Sequence, residues 1–224
     1  GRTAEPSGKP AEPAAGGEAE KGKKEPILVG PSQRALKQVA ERLGLDEPKK
    51  GEVLEPYEYN QRGRDLVNAG ADPEKVAEDF KKDGKVNADM ISVASAHYSD
   101  LIKAASDAYD NFGENSPEYK DAIDKANAWQ KEVLKPMGTT FGETGRALQG
   151  QVDIDTGSFV SMERAYKEKY GKDLTPEQKE SLKKVVDENK KLKEENEKLV
   201  KQLDDLFNER GEVKEKKTVK QRSK

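Results

Sequence analysis

The stretch that decides the fold is residues 87–136, which read NADMISVASAHYSDLIKAASDAYDNFGENSPEYKDAIDKANAWQKEVLKP. Its apolar residues recur every three to four positions on both sides of a short turn that begins at Gly113. This period predicts amphipathic helices over 88–112 and 117–135, with Pro136 expected to stop the second. Two long helices joined by so short a loop pack antiparallel, so we expect a helical hairpin in an all-α fold.

Three helix starts in the chain share one device, a capping residue followed by Pro and Glu. They are Asp72-Pro73-Glu74, Ser116-Pro117-Glu118 and Thr175-Pro176-Glu177. The cap oxygen accepts an N–H that the helix leaves free, Pro has no N–H to lose, and Glu faces the positive end of the helix dipole. At the third start, Gln178 completes a capping box. The first of these starts predicts a helix at 73–82, as the third member of the bundle. A further helix at about 158–170 is predicted from its apolar and aromatic residues before Gly171, which are Phe159, Val160, Met162, Tyr166 and Tyr170.

The remaining regions are punctuated by Pro and Gly. Residues 1–25 have the composition of a disordered linker. Residues 26–59 are predicted to hold a short, lone helix capped by Ser32, followed by a connection. The helical domain is expected to cover 60–175. Within its Gly- and Thr-rich segment 136–157, the glycines of 138–146 are interpreted as a tight connection between helices.

A seven-residue repeat marks the segment 176–210, which is predicted to be a coiled-coil-like helix. Position a of the heptad is occupied by Leu182, Asn189, Asn196 and Leu203. Position d is occupied by Val185, Leu192, Leu199 and Leu206. The candidate interaction residues are Val185, Asn189, Leu192, Asn196, Leu199, Leu203 and Leu206.

Two arrangements of this helix stay open. Glu188 at g and Lys193 at e suit an ion pair between two strands of a parallel dimer, and Asn at a favours two strands. Apolar residues at e widen the apolar face, which favours docking on another helix of the same chain instead. Those residues are Val186, Val200 and Phe207.

One motif has the form of a catalytic loop. Ile154-Asp155-Thr156-Gly157-Ser158 matches the Asp-Thr-Gly loop of aspartic proteases, in which two carboxylates share a proton. Such a site needs flanking strands and a second Asp, and neither is predicted here. A simpler interpretation is that Asp155 or Thr156 starts the helix that carries Phe159, so a hydrolase centred on Asp155 ranks last among the alternatives.

Other candidate sites fail on spacing. A calcium loop opened by Asp153 has its glycine at position 5 rather than 6 and Arg164 at position 12. The glycines of 138–146 lack the strand and the Gly-Lys-Ser/Thr ending of a phosphate loop. His97 is the only histidine, and it is given no role. We predict no catalytic, cofactor-binding or metal-binding residue.

Composition limits the class of protein. The charged fraction of 38% and the apolar fraction of 32% leave material for one small core. The net charge of −3 gives no global attraction to nucleic acid or to a membrane. There is no cysteine, no signal-peptide pattern and no apolar run near the roughly 18 residues of a membrane span. The tail 211–224 carries six basic against two acidic side chains, so it is expected to be a solvated linker or, alternatively, a weak nucleic-acid contact.

About half of the chain resembles the helical spacer regions of the large polyvalent proteins of bacteriophages and related mobile elements. The likeness rests on motifs of spacing and punctuation. They are Asn68-Ala69-Gly70-Ala71-Asp72-Pro73-Glu74-Lys75-Val76, Lys135-Pro136-Met137-Gly138-Thr139-Thr140-Phe141-Gly142, Gly145-Arg146-Ala147-Leu148-Gln149, Asp155-Thr156-Gly157-Ser158-Phe159-Val160 and Tyr170-Gly171-Lys172-Asp173-Leu174-Thr175. The resemblance implies a connector in a giant polypeptide that strings enzymatic modules together, and it carries no catalytic residue over.

From these observations we expect a non-enzymatic spacer and assembly module of a phage-type multidomain protein. It would be located in the bacterial host cytoplasm or the virion interior and would contact protein partners, either itself or flanking domains. The start at Gly1 and the end in a charged run at Lys224 are interpreted as the ends of a fragment.

Overall fold

The computed structural model describes residues 28, 30–49, 52–142 and 145–222, with side chains as far as Glu209. This part of the chain is all-α, as predicted, and contains no strand. The helices are α1 (Ser32–Arg42), α2 (Pro56–Asn68), α3 (Pro73–Asp83), α4 (Ala88–Phe112), α5 (Pro117–Trp129), α6 (Lys135–Phe141), α7 (Gly145–Thr156), α8 (Phe159–Tyr170) and α9 (Pro176–Arg222). The predicted linker 1–25 and the side chains of the basic tail lie outside the described residues.

The predicted hairpin is confirmed and forms the centre of the bundle. Helix α4 begins after Asn87, whose side chain accepts a hydrogen bond from the Met90 N–H, and ends at Gly113. Every residue from 89 to 96 is buried, so α4 is surrounded by other helices. On α5, the Trp129 indole Nε1 donates a 2.9 Å hydrogen bond to a carbonyl oxygen of α4. The two arms are therefore joined by a polar contact as well as by apolar packing.

Helix α2 begins inside the predicted connection and continues into the domain expected from residue 60. Pro56 lies in its first turn, and Glu55 forms a capping box with Glu58, so the proline starts this helix rather than breaking it. The helix lies so close to α4 that a Cβ on Gly63 would fall 1.8 Å from the Ser92 carbonyl oxygen. Only glycine fits at this crossing.

Helix α1 was predicted to stand alone, and this prediction is wrong. Its apolar stripe, which includes Leu36 and Val39, belongs to the main core. Ser32 is the first helical residue rather than the cap, and its backbone N–H donates a 2.8 Å hydrogen bond to Asp79 of α3. The core therefore begins before residue 60.

Pro136 does not stop the second arm of the hairpin, contrary to the prediction. The backbone widens into a π-helical turn at Gln130–Leu134, in which the Lys135 N–H bonds the Gln130 carbonyl oxygen, and then continues as α6. In a regular helix the proline ring would clash with the preceding turn, and the wide turn just before Pro136 relieves this clash. The extra residue in the wide turn keeps Val133, Leu134 and Met137 buried.

The Gly- and Thr-rich segment 136–157 is mostly helical, because the end of α6 and the start of α7 occupy most of the connection predicted at 138–146. Asp155 and Thr156 end α7 instead of starting the next helix. The cap of α8 is Ser158, whose hydroxyl accepts a 3.1 Å hydrogen bond from the Ser161 N–H.

The last helix starts as predicted and ends later. The Thr175 hydroxyl accepts from the Gln178 N–H at 3.2 Å, and the Gln178 side chain accepts from the Thr175 N–H at 2.9 Å. This reciprocal pair is the predicted capping box. Helix α9 then runs to Arg222, beyond the predicted end near Arg210.

Candidate functional site

The base of α9 is held against the bundle. The Lys183 ammonium lies 5.0 Å from the ring centroid of Phe159 and 5.9 Å from that of Tyr109. Leu182 and Val186 are half-buried in the same region. The first three turns of α9 are therefore anchored on α8 and on the end of α4.

Beyond this base, α9 leaves the bundle. Every residue from 187 to 209 is exposed. Of the thirteen exposed large apolar side chains in the described part of the chain, seven lie on α9, and each exposes 51% to 68% of its surface. They are Val185, Leu192, Leu199, Val200, Leu203, Leu206 and Phe207. A contiguous apolar surface of this kind on a charged helix is typical of an interaction site.

The predicted interaction residues form a single stripe, which we call the α9 seam. It consists of Val185, Asn189, Leu192, Asn196, Leu199, Leu203 and Leu206. The positions a and d of a heptad share one face of a helix, and the two asparagines interrupt that face at two consecutive a positions. No other described segment of the chain covers the seam. Docking on the chain's own bundle is seen only at the base, where Leu182 and Val186 are half-buried.

A groove lies where the seam meets the bundle. It has a volume of about 560 Å³ between α7, α8 and the start of α9. Its walls are mainly apolar and aromatic, and they include Ile154, Met162, Tyr166, Tyr170, Leu174 and Leu182. Leu182 belongs both to the groove and to the heptad repeat, so the groove extends the apolar surface of α9 onto the bundle.

A buried polar network lies inside the bundle, and no sequence motif indicated it. The Tyr98 hydroxyl donates to Asp153 Oδ1 at 3.1 Å and accepts from Arg164 Nε at 3.1 Å. Arg164 also donates to the side chain of Asn127, and Gln149 Nε2 lies 3.4 Å from Asp153 Oδ2. The only signal in the sequence is a polar pair at 149 and 153, beside the apolar pair at 148 and 152.

The network contains a carboxyl group with a strongly shifted titration. Asp153 is completely buried, and this burial raises its pKa to about 6, although Arg164 and the hydrogen bonds from Tyr98 and Gln149 act in the opposite direction. Perturbed groups are common at functional sites but also occur in structural networks. Asp153 lines none of the five main surface cavities of the described chain, so we interpret Asp153 as a structural residue.

Asp155, the residue of the protease-like motif, occupies a different environment. It lies in the last turn of α7, exposed to solvent, and accepts a 2.6 Å hydrogen bond from Gln151 Nε2. Gly157 follows with a positive φ of 61°. The motif is thus the end of a helix, and the strands that an aspartic protease places around it are absent from the described residues.

His97 lies on α4 in contact with the only tryptophan. Its ring centroid is 4.3 Å from that of Trp129 in an edge-on arrangement, and Nε2 is 3.8 Å from a Glu74 carboxylate oxygen. Burial lowers the pKa of His97, although nearby carboxylates raise it. Its contacts are those of a packed helix residue.

Among the described residues, no group of three or more His, Cys, Asp or Glu side chains is placed to hold a metal ion. No described helix combines the length and the apolar character that crossing a membrane requires.

Comparisons with known proteins gave no relative: no family model, no curated protein and no solved structure matches this chain. The class of protein is therefore defined by the all-α fold and by the exposed surface of α9. The described chain is an all-α bundle whose longest helix carries an uncovered apolar seam.

Proposed function

We propose that this chain is a non-enzymatic assembly module that makes protein–protein contacts through the α9 seam. The observation that carries the proposal is the seam itself, in which Leu192, Leu199, Leu203 and Leu206 each leave more than half of their surface exposed on a part of α9 that no other described residue covers. Full burial of a fully exposed side chain of this size contributes roughly 1.5–3 kcal/mol, so covering the remaining half contributes about half of that for each leucine. Contact with a further helix is the direct way to remove this surface from water.

The position of the module in a longer protein follows from the resemblance of residues 66–178 to helical spacers of phage polyvalent proteins. A bundle that anchors the base of a projecting helix suits such a spacer, because it holds the contact surface away from its own core. We therefore propose the module as a connector of a phage-type, virion-carried multidomain protein, with the seam as its assembly surface.

The experiment is sedimentation equilibrium of the chain over a wide concentration range. We expect association that depends on concentration, and we expect it to disappear when Leu192 and Leu199 are both changed to Asp, because two charges would then lie within the apolar face. The matched control changes Lys191 and Lys198 to Ala, which alters the net charge by the same amount on the outer face of the same turns. The control should associate like the unchanged chain, whereas a monomer at every concentration would contradict the proposal.

A second candidate function rests on the basic tail, a weak nucleic-acid contact made by its lysines and Arg222. Its six basic side chains against two acidic ones suit contact with phosphates that is independent of sequence and weakened by salt. Deleting 211–224 should then abolish binding to a labelled duplex at low salt. Unchanged binding after the deletion would remove this candidate.

A further inference from the structure

We propose that the partner of the α9 seam is a second copy of this chain, aligned parallel and in register, which pairs with the first over Val185–Leu206 as a two-stranded coiled coil. This inference rests on the assembly function proposed above and names its partner, direction and number of strands. Four observations carry it: the length of the free seam, the placement of its asparagines, one pair of charges and the anchored base.

The free length of the seam suits two helices. From Val185 to Leu206 it covers 22 positions, which is about 33 Å of helix at 1.5 Å per residue. Its apolar positions keep a strict seven-residue repeat, the pattern that winds two helices around each other in a left-handed supercoil. Leu182 and Val186 are half-buried by the chain's own bundle. Val185 is 51% exposed, so a partner helix has access from Val185 onward.

The asparagines select the direction. In a parallel pair in register, position a faces position a, so Asn189 meets Asn189 of the second copy and Asn196 meets Asn196. Each amide has both donors and acceptors, so two facing amides satisfy each other. In an antiparallel pair, position a packs against position d, which is leucine at 192, 199 and 206. The amides would then be buried without hydrogen-bond partners, which destabilises an antiparallel pair.

One pair of charges supports the same register. Glu188 at g and Lys193 at the following e position face each other across a parallel, in-register pair. Both side chains are exposed, and neither makes an ion pair within its own chain among the described residues. The symmetry of the pair gives two such contacts, one on each side of the seam.

The apolar residues at e are compatible with two strands. In the parallel arrangement, Val200 lies opposite Glu195 of the second copy, and Phe207 lies opposite Gln202. The methylene groups of these long side chains can cover the apolar residues while their polar ends stay in water. Asn at position a specifically favours dimers over larger assemblies.

The chain contains no cysteine, so single cysteines report directly on register. The test variants are Leu192→Cys and Leu206→Cys, which lie at position d and are two heptads apart. In a parallel, in-register pair each cysteine meets its own counterpart, so mild oxidation should give a covalent dimer in both variants. The matched controls are Glu194→Cys and Asn208→Cys, two residues further on at position f of the outer face, and they should remain uncrosslinked.

The outcomes separate this inference from the function on which it rests. In an antiparallel pair, at most one of the two d positions can meet its own counterpart, so crosslinking of only one variant, or of neither, would overturn the parallel register. Association that persists under reducing conditions in that case leaves the assembly function standing. A trimer or larger mass would overturn the two-stranded arrangement, and a monomer at every concentration would remove both proposals.

A second measurement uses the unchanged chain and does not depend on the folding of any variant. Copies with natural and heavy nitrogen isotopes are mixed, and a carbodiimide joins neighbouring carboxylates and amines. We expect mixed-isotope peptides that link Glu188 to Lys193. Links found only within peptides of one isotope would contradict the proposed register.

Discussion

The Tyr98 hydroxyl donates a 3.1 Å hydrogen bond to Asp153 Oδ1 and thereby joins α4 to α7 inside the bundle. Arg164 of α8 donates to the same hydroxyl, so one phenol connects three helices. The Asp153 carboxyl group is fully buried, and burial raises its pKa to about 6, above its ordinary 3.8. The folded state therefore holds a proton between about pH 4 and pH 6 that the unfolded chain has released.

Ionisation of the buried Asp153 carboxyl group is expected to lower the free energy of unfolding as the pH rises. Because its folded pKa lies above its unfolded pKa, the stabilisation is complete below the unfolded value and is lost as the pH rises through about 6. At ~1.4 kcal/mol for each pKa unit, the free energy of unfolding falls by a few kcal/mol over this range. Asp153→Asn should flatten this slope and raise the free energy of unfolding at pH 7. Its amide can accept from Tyr98 and donate to Gln149 Oε1, a buried atom without a hydrogen-bond partner among the described residues.

The measurement for Asp153→Asn is denaturant unfolding of the variant and the unchanged chain from pH 4 to pH 8. Asp155→Asn is the control, because it makes the same chemical change at an exposed position of the same helix. The control should keep the slope of the unchanged chain. A slope that survives in Asp153→Asn would show that another group is responsible.

The crossing of α2 and α4 should not tolerate a methyl group. A Cβ on Gly63 would lie 1.8 Å from the Ser92 carbonyl oxygen and 3.1 Å from the Ala96 Cβ, so Gly63→Ala forces the helices apart. Overpacking of this kind costs ~1–3 kcal/mol or more, which outweighs the helix propensity gained. Gly150→Ala is the control: nothing lies within 4 Å of its added Cβ, and it should gain up to ~1 kcal/mol. Thermal unfolding of both variants checks the opposite signs.

Protonation of His97 should lower the free energy of unfolding as the pH falls, which is the opposite pH direction to the effect of Asp153. Burial lowers its pKa below the ordinary 6.5, so the stability present above that value is lost as the pH falls below it. His97→Gln should therefore weaken the loss of stability toward acid pH. The comparison is made in the Asp153→Asn background, where the titration of Asp153 is removed. An unchanged acid slope after His97→Gln would contradict the assignment.

Asn196 should contribute to the choice of two strands in the assembly. Asn196→Leu removes one of the two amides from the seam, so we expect tighter association together with a weaker preference for two strands. Asn208→Leu makes the same change on the outer face and should leave the mass unchanged. Sedimentation equilibrium distinguishes the variants, and a dimer of unaltered affinity in Asn196→Leu would place this side chain outside the interface.

The hairpin could be predicted because its signals are local. Helix α4 begins and ends where the cap at Asn87 and the stop at Gly113 indicated, and the capping box at Thr175 is present. These features depend on side chains within a few residues of each other. The same holds for the heptad repeat of α9, which requires only the spacing along one helix.

The errors arose where proline and glycine were interpreted without their tertiary context. Pro56, which falls in the predicted connection, starts α2, and Pro136, which was expected to stop a helix, is accommodated by a wide turn. Glu55 is an uncommon cap, so the start of α2 carried a weak signal. The glycines after 137 were interpreted as a connection, whereas Gly145 starts a helix that packs against the backbone at Leu134.

The buried network could not be predicted from the sequence. Tyr98 and Asp153 are 55 positions apart, and Tyr98 and Arg164 are 66 positions apart. Only the packing of α7 and α8 on α4 brings them together. In the sequence, Tyr98 belongs to an apolar stripe and Asp153 to a polar run, and neither pattern identifies the other as its partner.

The placement of the single tryptophan makes two events separately observable. Trp129 lies in the bundle, and the described side chains of α9 include only one aromatic residue, Phe207. Tryptophan fluorescence therefore reports on melting of the bundle and does not change when the projecting part of α9 unwinds or separates from a partner. Far-ultraviolet circular dichroism responds to both, so the difference between the two signals isolates the behaviour of the projecting helix.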